Sequence, residues 1–255
     1  SGRPVVFMEC GIHAREWISP AVCLYWIDRV NQYSKNDAKA RELLDSYEFV
    51  VVPVSNPDGY EYSRGSNRLW RKNRQTFTHS GCTSSIGVDL NRNFDSAWNT
   101  VGTGTCRSDT YAGTEVFSEN EAKGIREKVQ SYNGISAYVS LHSYSQYILT
   151  PYAFGSSVPG NINHIKSVAN GASNALASVH GRNFQVGSAG ELLNYNAAGG
   201  SSDWAQLRGE TPFSVTYELR PSSSDYLTGF QLPANQIIPS GEEMWESLYA
   251  LIVNH

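Results

Sequence analysis

Val5-Val6-Phe7-Met8, followed by Gly11-Ile12-His13-Ala14-Arg15-Glu16-Trp17, joins an apolar run to an imidazole and a carboxylate three residues apart. Consecutive apolar residues of this kind read as a strand buried on both faces. The Ser19-Pro20 pair beyond supplies the residue types of a helix N-cap and first turn. His13 and Glu16 are therefore expected to leave the carboxyl end of a buried strand, the end at which ligands collect in open α/β sheets. The spacing alone is common, so its weight depends on what other strands bring to the same edge.

Downstream, strand-like and helix-like stretches alternate, which predicts an α/β fold with a mixed, mainly parallel twisted sheet, helices on both faces and the site at the carboxyl ends of the strands. Residues 21–30 read as a buried helix. Phe49-Val50-Val51-Val52-Pro53-Val54 reads as a buried strand closed by a turn at Asn56-Pro57-Asp58-Gly59. Residues 60–115 are polar and aperiodic, a length of irregular chain that compact domains keep for function. Ser118 and Glu121 predict a capping box opening a helix to about Tyr132, and Ser240 with Glu243 a second one opening the last helix. Residues 135–141 read as a strand ending at His142. Residues 161–180 read as a helix stopped by Gly181, 188–203 as a loop with a tight turn at Gly199-Gly200, and 213–218 as a strand ending near Glu218. No repeat or linker interrupts the pattern, so residues 1–255 are expected to form a single domain.

The chain carries 20 basic and 24 acidic residues, a net charge of −4, and no block of like charges, which argues against nucleic acid or an anionic membrane as partner. No apolar run approaches the roughly 18 residues of a membrane span. Four cysteines fall as two local pairs, Cys10 with Cys23 and Cys82 with Cys106, read as disulfides although four cysteines permit other connectivities. A loop the size of the first is worth about 3 kcal/mol. Disulfides imply an oxidising compartment, and hence secretion.

His13 with Glu16, His142 and Glu218 thus gather at the ends of three expected strands. Two imidazoles and one carboxylate leave a tetrahedral zinc ion one open position, as a catalytic site requires. Glu218 is then free to act as a base. His79, His164, His180 and His255 are poorer candidates by position. Among the cations of the polar stretch, Arg71 and Arg92 suit a carboxylate grip or an oxyanion, whereas Arg64, Lys72 and Arg74 are expected to be solvated. Asp89 has the chemistry to orient a ligand histidine.

These residues stand in motifs that run in one order along the chain: residues 11–17, Asn-Pro-Asp-Gly-Tyr at 56–60, Asn-Arg-Leu-Trp-Arg-Lys at 67–72, Val-Asp-Leu-Asn-Arg-Asn at 88–93, Leu-His-Ser-Tyr-Ser-Gln at 141–146, Ala-Gly-Gly-Ser-Ser-Asp-Trp at 198–204 and Thr-Tyr-Glu-Leu-Arg at 216–220. Together they resemble the zinc metallocarboxypeptidases of the pancreatic A and B type, whose two-histidine, one-glutamate zinc site is itself a standard example of catalytic zinc. The resemblance implies one zinc ion per chain held by His13, Glu16 and His142, with Glu218 as general base and Arg71 on the oxyanion. It implies Asn91, Arg92 and Tyr195 on the substrate's terminal carboxylate, and Arg68, Arg15, Tyr144 and Phe230 along the upstream subsites. Asp89 would support His13, and both cysteine pairs would be disulfides, as in B-type members.

The implied activity is hydrolysis of the C-terminal peptide bond of peptides and proteins, in a secreted monomer that meets a propeptide or a protein inhibitor. The family domain also has a further segment ahead of Gly2-Arg3-Pro4, including sheet strands, so the sheet here is expected to miss neighbours. Ser202 falls where B-type members carry an acid and A-type members an apolar residue, with Asp203 next to it and Gly190 and Ala153 near it. A pocket without a fixed negative charge predicts preference for neutral C-terminal residues, an A-like or broad specificity, over a B-like one for Lys or Arg. The competing readings are a zinc amidohydrolase acting on acylated amino acids, and a non-catalytic peptide-binding relative.

Overall fold

The computed structural model describes residues 2–33, 36–77, 81–83 and 85–255. Its strands are β1 (Val5–Cys10), β2 (Glu48–Val52), β3 (Ala137–Ser145), β4 (Tyr147–Leu149), β5 (Gln185–Gly187) and β6 (Ser214–Ser222), in one sheet of order β2-β1-β3-β6-β4-β5. β1, β2, β3 and β6 are mutually parallel, while β4 runs antiparallel to β6 and parallel to β5. The mixed, mainly parallel sheet expected from the alternating pattern is present.

Its helices are α1 (Ile18–Tyr33), α2 (Ala38–Ser46), α3 (Pro57–Gly65), α4 (Asn120–Gln130), α5 (Ile162–His180), α6 (Ala189–Leu193), α7 (Ser201–Leu207) and α8 (Ile237–Asn254). Alternate residues of β1 supply two cores, because successive side chains leave a strand on opposite faces. Val6, Met8 and Cys10 pack with Val22 and Trp26 of α1, Ile165 and Leu176 of α5, and Met244 and Leu248 of α8. Val5 and Phe7 pack with Ile125 and Val129 of α4 and Trp204 of α7. Both faces are covered, which is why β1 reads as an uninterrupted apolar run rather than an alternating one.

Several element boundaries differ from the sequence reading, each for a local reason. Ser19 lies inside α1 instead of capping it, its hydroxyl donating to the Leu141 carbonyl and accepting from the Gly11 amide. Asn56-Pro57-Asp58-Gly59 is a helix start: Asn56 is the N-cap of α3, accepting from the Gly59 amide, with Pro57 in the first turn. Ser118 makes no capping box, since its hydroxyl donates to Glu119 and accepts from Asn93. Residues 188–203 hold α6, capped by Ser188 and Glu191, and the start of α7. Ser240 and Glu243 sit within α8, where Glu243 meets Arg220. Among the described residues, no helix is long and apolar enough to cross a membrane.

The Arg220–Glu243 pair ties the end of β6 to α8. Arg220 is 5% and Glu243 1% exposed, and the guanidinium bonds both carboxylate oxygens, one through Nε at 2.8 Å. Removing one partner strands the other charge out of water, which costs about 3–5 kcal/mol. Glu243→Ala is therefore expected to lose roughly that much stability in urea unfolding. A loss within the scatter of surface substitutions would show that the pair is hydrated.

Candidate active site

The site forms where strand lengths diverge. β1 stops at Cys10, paired with Leu141, whereas β3 and β6 run on, pairing His142 with Glu218 just past the end of β1. His142 and Glu218 thus stand inside longer strands rather than at their termini. The chain leaves β1 through Gly11 at φ +66°, where a Cβ would lie 2.9 Å from Pro20 Cγ. This turn carries His13 and Glu16 across the end of the sheet toward His142.

His13, Glu16 and His142 are all buried and place their ligand atoms within 4.8 Å of one another. Glu16 Oε1 lies 2.8 Å from His13 Nδ1, Glu16 Oε2 lies 3.0 Å from His142 Nδ1, and the two Nδ1 atoms are 3.1 Å apart. The Ser143 amide donates to Glu16 Oε2 at 3.1 Å. On the other side of His13, Nε2 faces Asp89 Oδ1 at 3.0 Å. An ionised carboxylate only accepts, so Nε2 carries the proton and, in the neutral ring, Nδ1 points a lone pair at the cluster centre.

Burial opposes charge on Glu16, but the two imidazoles overcome it and hold its carboxyl well below the usual range. Burial also opposes charge on His142, and the Glu16 carboxylate overrides it to raise the ring's pKa. Buried nitrogen and oxygen donors converging from two elements fit a divalent cation with mixed nitrogen and oxygen preference. Among the described residues, no other group of His, Cys, Asp and Glu side chains meets the same condition.

Glu218, Arg71, Asn91 and Arg92 line the same cavity, of about 280 Å³, as the three candidate ligands. Burial pushes the Glu218 carboxyl up to about 8, against the pull of His142, Arg71 and Arg92 and with the repulsion of Glu16. Arg71 is fixed by Asp89, whose Oδ2 accepts from Nε at 2.9 Å and lies 2.8 Å from an NH2 donor. Asp89 therefore anchors both His13 and Arg71, and burial of its carboxyl is outweighed by Arg71 and His13, which hold it well below its usual value. Asn91 Oδ1 accepts from the Ser201 amide at the start of α7, leaving Nδ2 3.4 Å from His142 Nε2. Arg92 gives Nε to the Gly102 carbonyl at 3.0 Å, and the Tyr195 hydroxyl donates to the same carbonyl at 2.9 Å. Gly199, at φ +81°, lets its loop lie against this group, since a Cβ there would fall 2.1 Å from Arg92 O.

At the far wall, the Ser202 hydroxyl pairs with Thr216 Oγ1 at 2.8 Å, and the Ala153 amide donates to Asp203 Oδ2 at 2.7 Å. Asp203 and Ala153 line the cavity, whereas Ala189 takes the place expected of Gly190. Burial raises the Asp203 carboxyl to about 7, although the Ala153 amide and Arg92 oppose it. Tyr144 and Phe230 form the opposite edge, rings 5.0 Å apart. Arg15 and Arg68 stand on the rim rather than in the wall. The Arg15 guanidinium lies 4.2 Å from the Phe230 ring, and Arg68 stacks at 3.7 Å on Trp17 and donates to the Arg15 and Phe230 carbonyls.

The sequence-expected residues thus come together, and the pairs Cys10–Cys23 and Cys82–Cys106 are disulfides, with Cα separations of 6.5 and 5.8 Å. Two expectations for the polar stretch fail. Lys72 is 4% exposed, its aliphatic chain buried and Nζ donating to the Cys106 carbonyl, and Arg74 stacks on Tyr62 and Trp70 instead of extending into solvent. His79 lies outside the described residues. Thr216 and the Ser143 amide escaped the sequence reading. Thr216 precedes Glu218 by two on β6, so strand alternation could have placed it on the same face. A backbone amide carries no such mark.

A family model described as zinc carboxypeptidase matches residues 1–247. The chain belongs to the zinc carboxypeptidase family. Within it, carboxypeptidase B of Bos taurus is 42% identical over 246 residues, which are 95% of this chain and 57% of that protein. The zinc carboxypeptidase A 1 of Drosophila melanogaster is 41% identical over 251 residues, 98% of this chain and 56% of that one. The chain therefore spans a little over half the length of these two carboxypeptidases. Among solved structures, bovine thrombin-activatable fibrinolysis inhibitor in complex with tick carboxypeptidase inhibitor superposes with a TM-score of 0.89 at 36% identity, covering 99% of this chain and 82% of that one. Both A-named and B-named carboxypeptidases are thus similar to this chain, so family membership leaves its side-chain preference open.

Proposed function

We propose that the protein is a zinc-dependent exopeptidase that hydrolyses the C-terminal peptide bond of peptides and proteins and prefers neutral C-terminal residues. The observation that carries this reading is one cavity lined by three candidate ligands, a separate carboxylate and three side chains suited to anions, Arg71, Asn91 and Arg92. An endopeptidase has no use for so much positive charge beside the reacting atoms. A free terminal carboxylate does.

In this account His13, Glu16 and His142 hold one zinc ion per chain, and bound zinc supplies Lewis acidity and a more acidic water. Asn91 and Arg92 hold the terminal carboxylate, with Tyr195 closing on it, which places the last peptide bond and no other beside Glu218. Glu218 takes a proton from the attacking water and returns it to the leaving amine. Arg71, aimed by Asp89, donates to the carbonyl oxygen as negative charge develops there. Tyr144, Phe230, Arg15 and Arg68 contact residues upstream of the cut. Residues 1–255 act as one catalytic domain, in a monomer. The two disulfides support secretion, and the inhibitor bound to the bovine relative supports a protein inhibitor or propeptide as partner. Neither the −4 charge nor the helices support nucleic acid or a membrane as partner.

The neutral preference rests on Ser202. Its hydroxyl is already paired with Thr216, so the far wall there offers no charge to offset desolvation of a Lys or Arg side chain. The runner-up, B-like specificity, draws on Asp203, which lines the same wall but is protonated below about 7. Peptides identical except for Phe, Leu, Gln, Lys or Arg at the C-terminus, assayed on that acidic side, are expected to be cleaved faster with the neutral ends. Ser202→Asp should move kcat/KM toward the basic ends by roughly 10–100-fold, the effect of adding an ion pair in a largely dry pocket. Faster cleavage of basic ends by the unaltered protein would overturn the preference. Cleavage of acylated amino acids but not peptides would replace the exopeptidase reading with an amidohydrolase one.

A further inference from the structure

Glu9 puts a carboxyl group into an apolar layer. Side chains alternate along β1, so Glu9 follows Val5 and Phe7 onto the face they share with Tyr138 of β3 and Trp204 of α7. It is wholly buried, which is unfavourable for a carboxyl group unless hydrogen bonds compensate. Those bonds converge on one oxygen: Oε1 accepts from Ser140 Oγ at 2.8 Å, across the β1–β3 pair, and from Ser201 Oγ. Among the described residues, Oε2 is buried with no hydrogen-bond partner. A group kept for stability alone would not leave an acceptor bare, and an apolar side chain would fill the layer at less cost.

What Glu9 holds is the first residue of α7. Ser201 is bonded in two directions, its hydroxyl to Glu9 and its amide to Asn91 Oδ1 at 3.0 Å. The second bond decides which way round the Asn91 side chain sits. The two ends of an asparagine amide have nearly the same shape, and only their hydrogen-bond partners tell them apart. With Oδ1 tied to Ser201, Nδ2 turns toward His142 and is placed to donate to an anion in the cavity. Reversed, the same amide would present an oxygen to a carboxylate. We propose that Glu9 is a positioning residue for the terminal-carboxylate grip: through Ser201 it keeps the Asn91 nitrogen toward the substrate. This role rests on the carboxypeptidase reading above and extends it to a residue outside the cavity lining.

The test uses the zinc-loaded protein, a peptide with a free, neutral C-terminal residue, and two competitors: phenylalanine, which carries a carboxylate, and acetohydroxamate, which can bind zinc without one. Glu9→Leu is expected to raise KM and the inhibition constant of phenylalanine about 10–100-fold, the factor for losing one hydrogen bond to a charged group. Turnover (kcat) and acetohydroxamate inhibition should stay within about twofold, because only binding common to ground and transition states is lost. A loosened fold would instead lower kcat and zinc content together. Glu9→Gln keeps an oxygen for both hydroxyls and should bring KM back to within about threefold of the unaltered protein. If Glu9→Leu fails to fold, Ser201→Ala cuts the same link by removing a single oxygen, and the same rise in KM is expected. Unchanged KM in either variant, Glu9→Gln as impaired as Glu9→Leu, or a loss in kcat and acetohydroxamate inhibition as large as that in KM overturns the role and leaves the carboxypeptidase reading intact. Equal cleavage, by the unaltered protein, of the same peptide with its C-terminus amidated removes that reading and the role with it.

Discussion

Replacing Glu218 with Gln is expected to cut kcat roughly 10²–10⁴-fold, the usual contribution of a positioned general base, while zinc content and inhibitor affinity stay near those of the unaltered protein. The change swaps one oxygen for an amide nitrogen and keeps the side chain's volume, so the β3–β6 pairing of His142 with Glu218 is not disturbed. It also leaves Glu16, which has its own partners in His13, His142 and the Ser143 amide. Loss of turnover with retained metal would separate the two carboxylates by role. Near-normal turnover would mean that another group takes the proton, and among the described residues no other carboxylate besides Glu16 and Asp203 lines the cavity.

Stripping zinc with a chelator is expected to abolish hydrolysis and to lower the melting temperature, both being restored by zinc. A ligand at about a thousand times its dissociation constant stabilises the folded state by about 4 kcal/mol. For a chain of this size that corresponds to a shift on the order of 10 °C. The structural reason is local: without a cation, three buried polar side chains from the β1 exit and from β3 meet in one spot with only protons to share. A chelated protein that keeps both its activity and its melting temperature would remove the metal from the account. Glu218→Gln should show the same thermal response to chelation without the activity change, which separates structure from chemistry.

The sequence discloses the site better than its frame. His13, Glu16, His142 and Glu218 were legible because each follows or ends an apolar run, and strand ends in an open parallel sheet share an edge. Less legible was how far β3 and β6 outrun β1, because register depends on partners and not on composition. The helix starts failed for a related reason. Ser19 and Ser118 are good cap residues by type, but each finds a better partner in the fold, Leu141 O for Ser19 and Asn93 and Glu119 for Ser118, whereas Ser240 is buried inside α8 and caps nothing. A hydroxyl caps only when nothing else competes for it. Asn56 erred in the other direction, its Asn-Pro-Asp-Gly run being as good a helix start as a turn.

Lys72 and Arg74 show a further limit. Charged residues in a polar stretch read as solvated, yet aromatic neighbours two to twelve positions away, Trp70 and Tyr62, cover them. The aromatics Tyr62 and Trp70 close in sequence to Lys72 and Arg74 were the available signal, since guanidinium and ammonium groups gain by lying over rings.

The central claim is that His13, Glu16 and His142 together hold one zinc ion. Metal analysis of the purified protein combined with X-ray absorption at the zinc edge tests it most directly. One zinc per chain is predicted, bonded to two imidazole nitrogens and carboxylate oxygen at about 2.0–2.2 Å, and His142→Ala should lose most of that zinc. Substoichiometric zinc, sulfur in the coordination shell, or full zinc content in His142→Ala would contradict it.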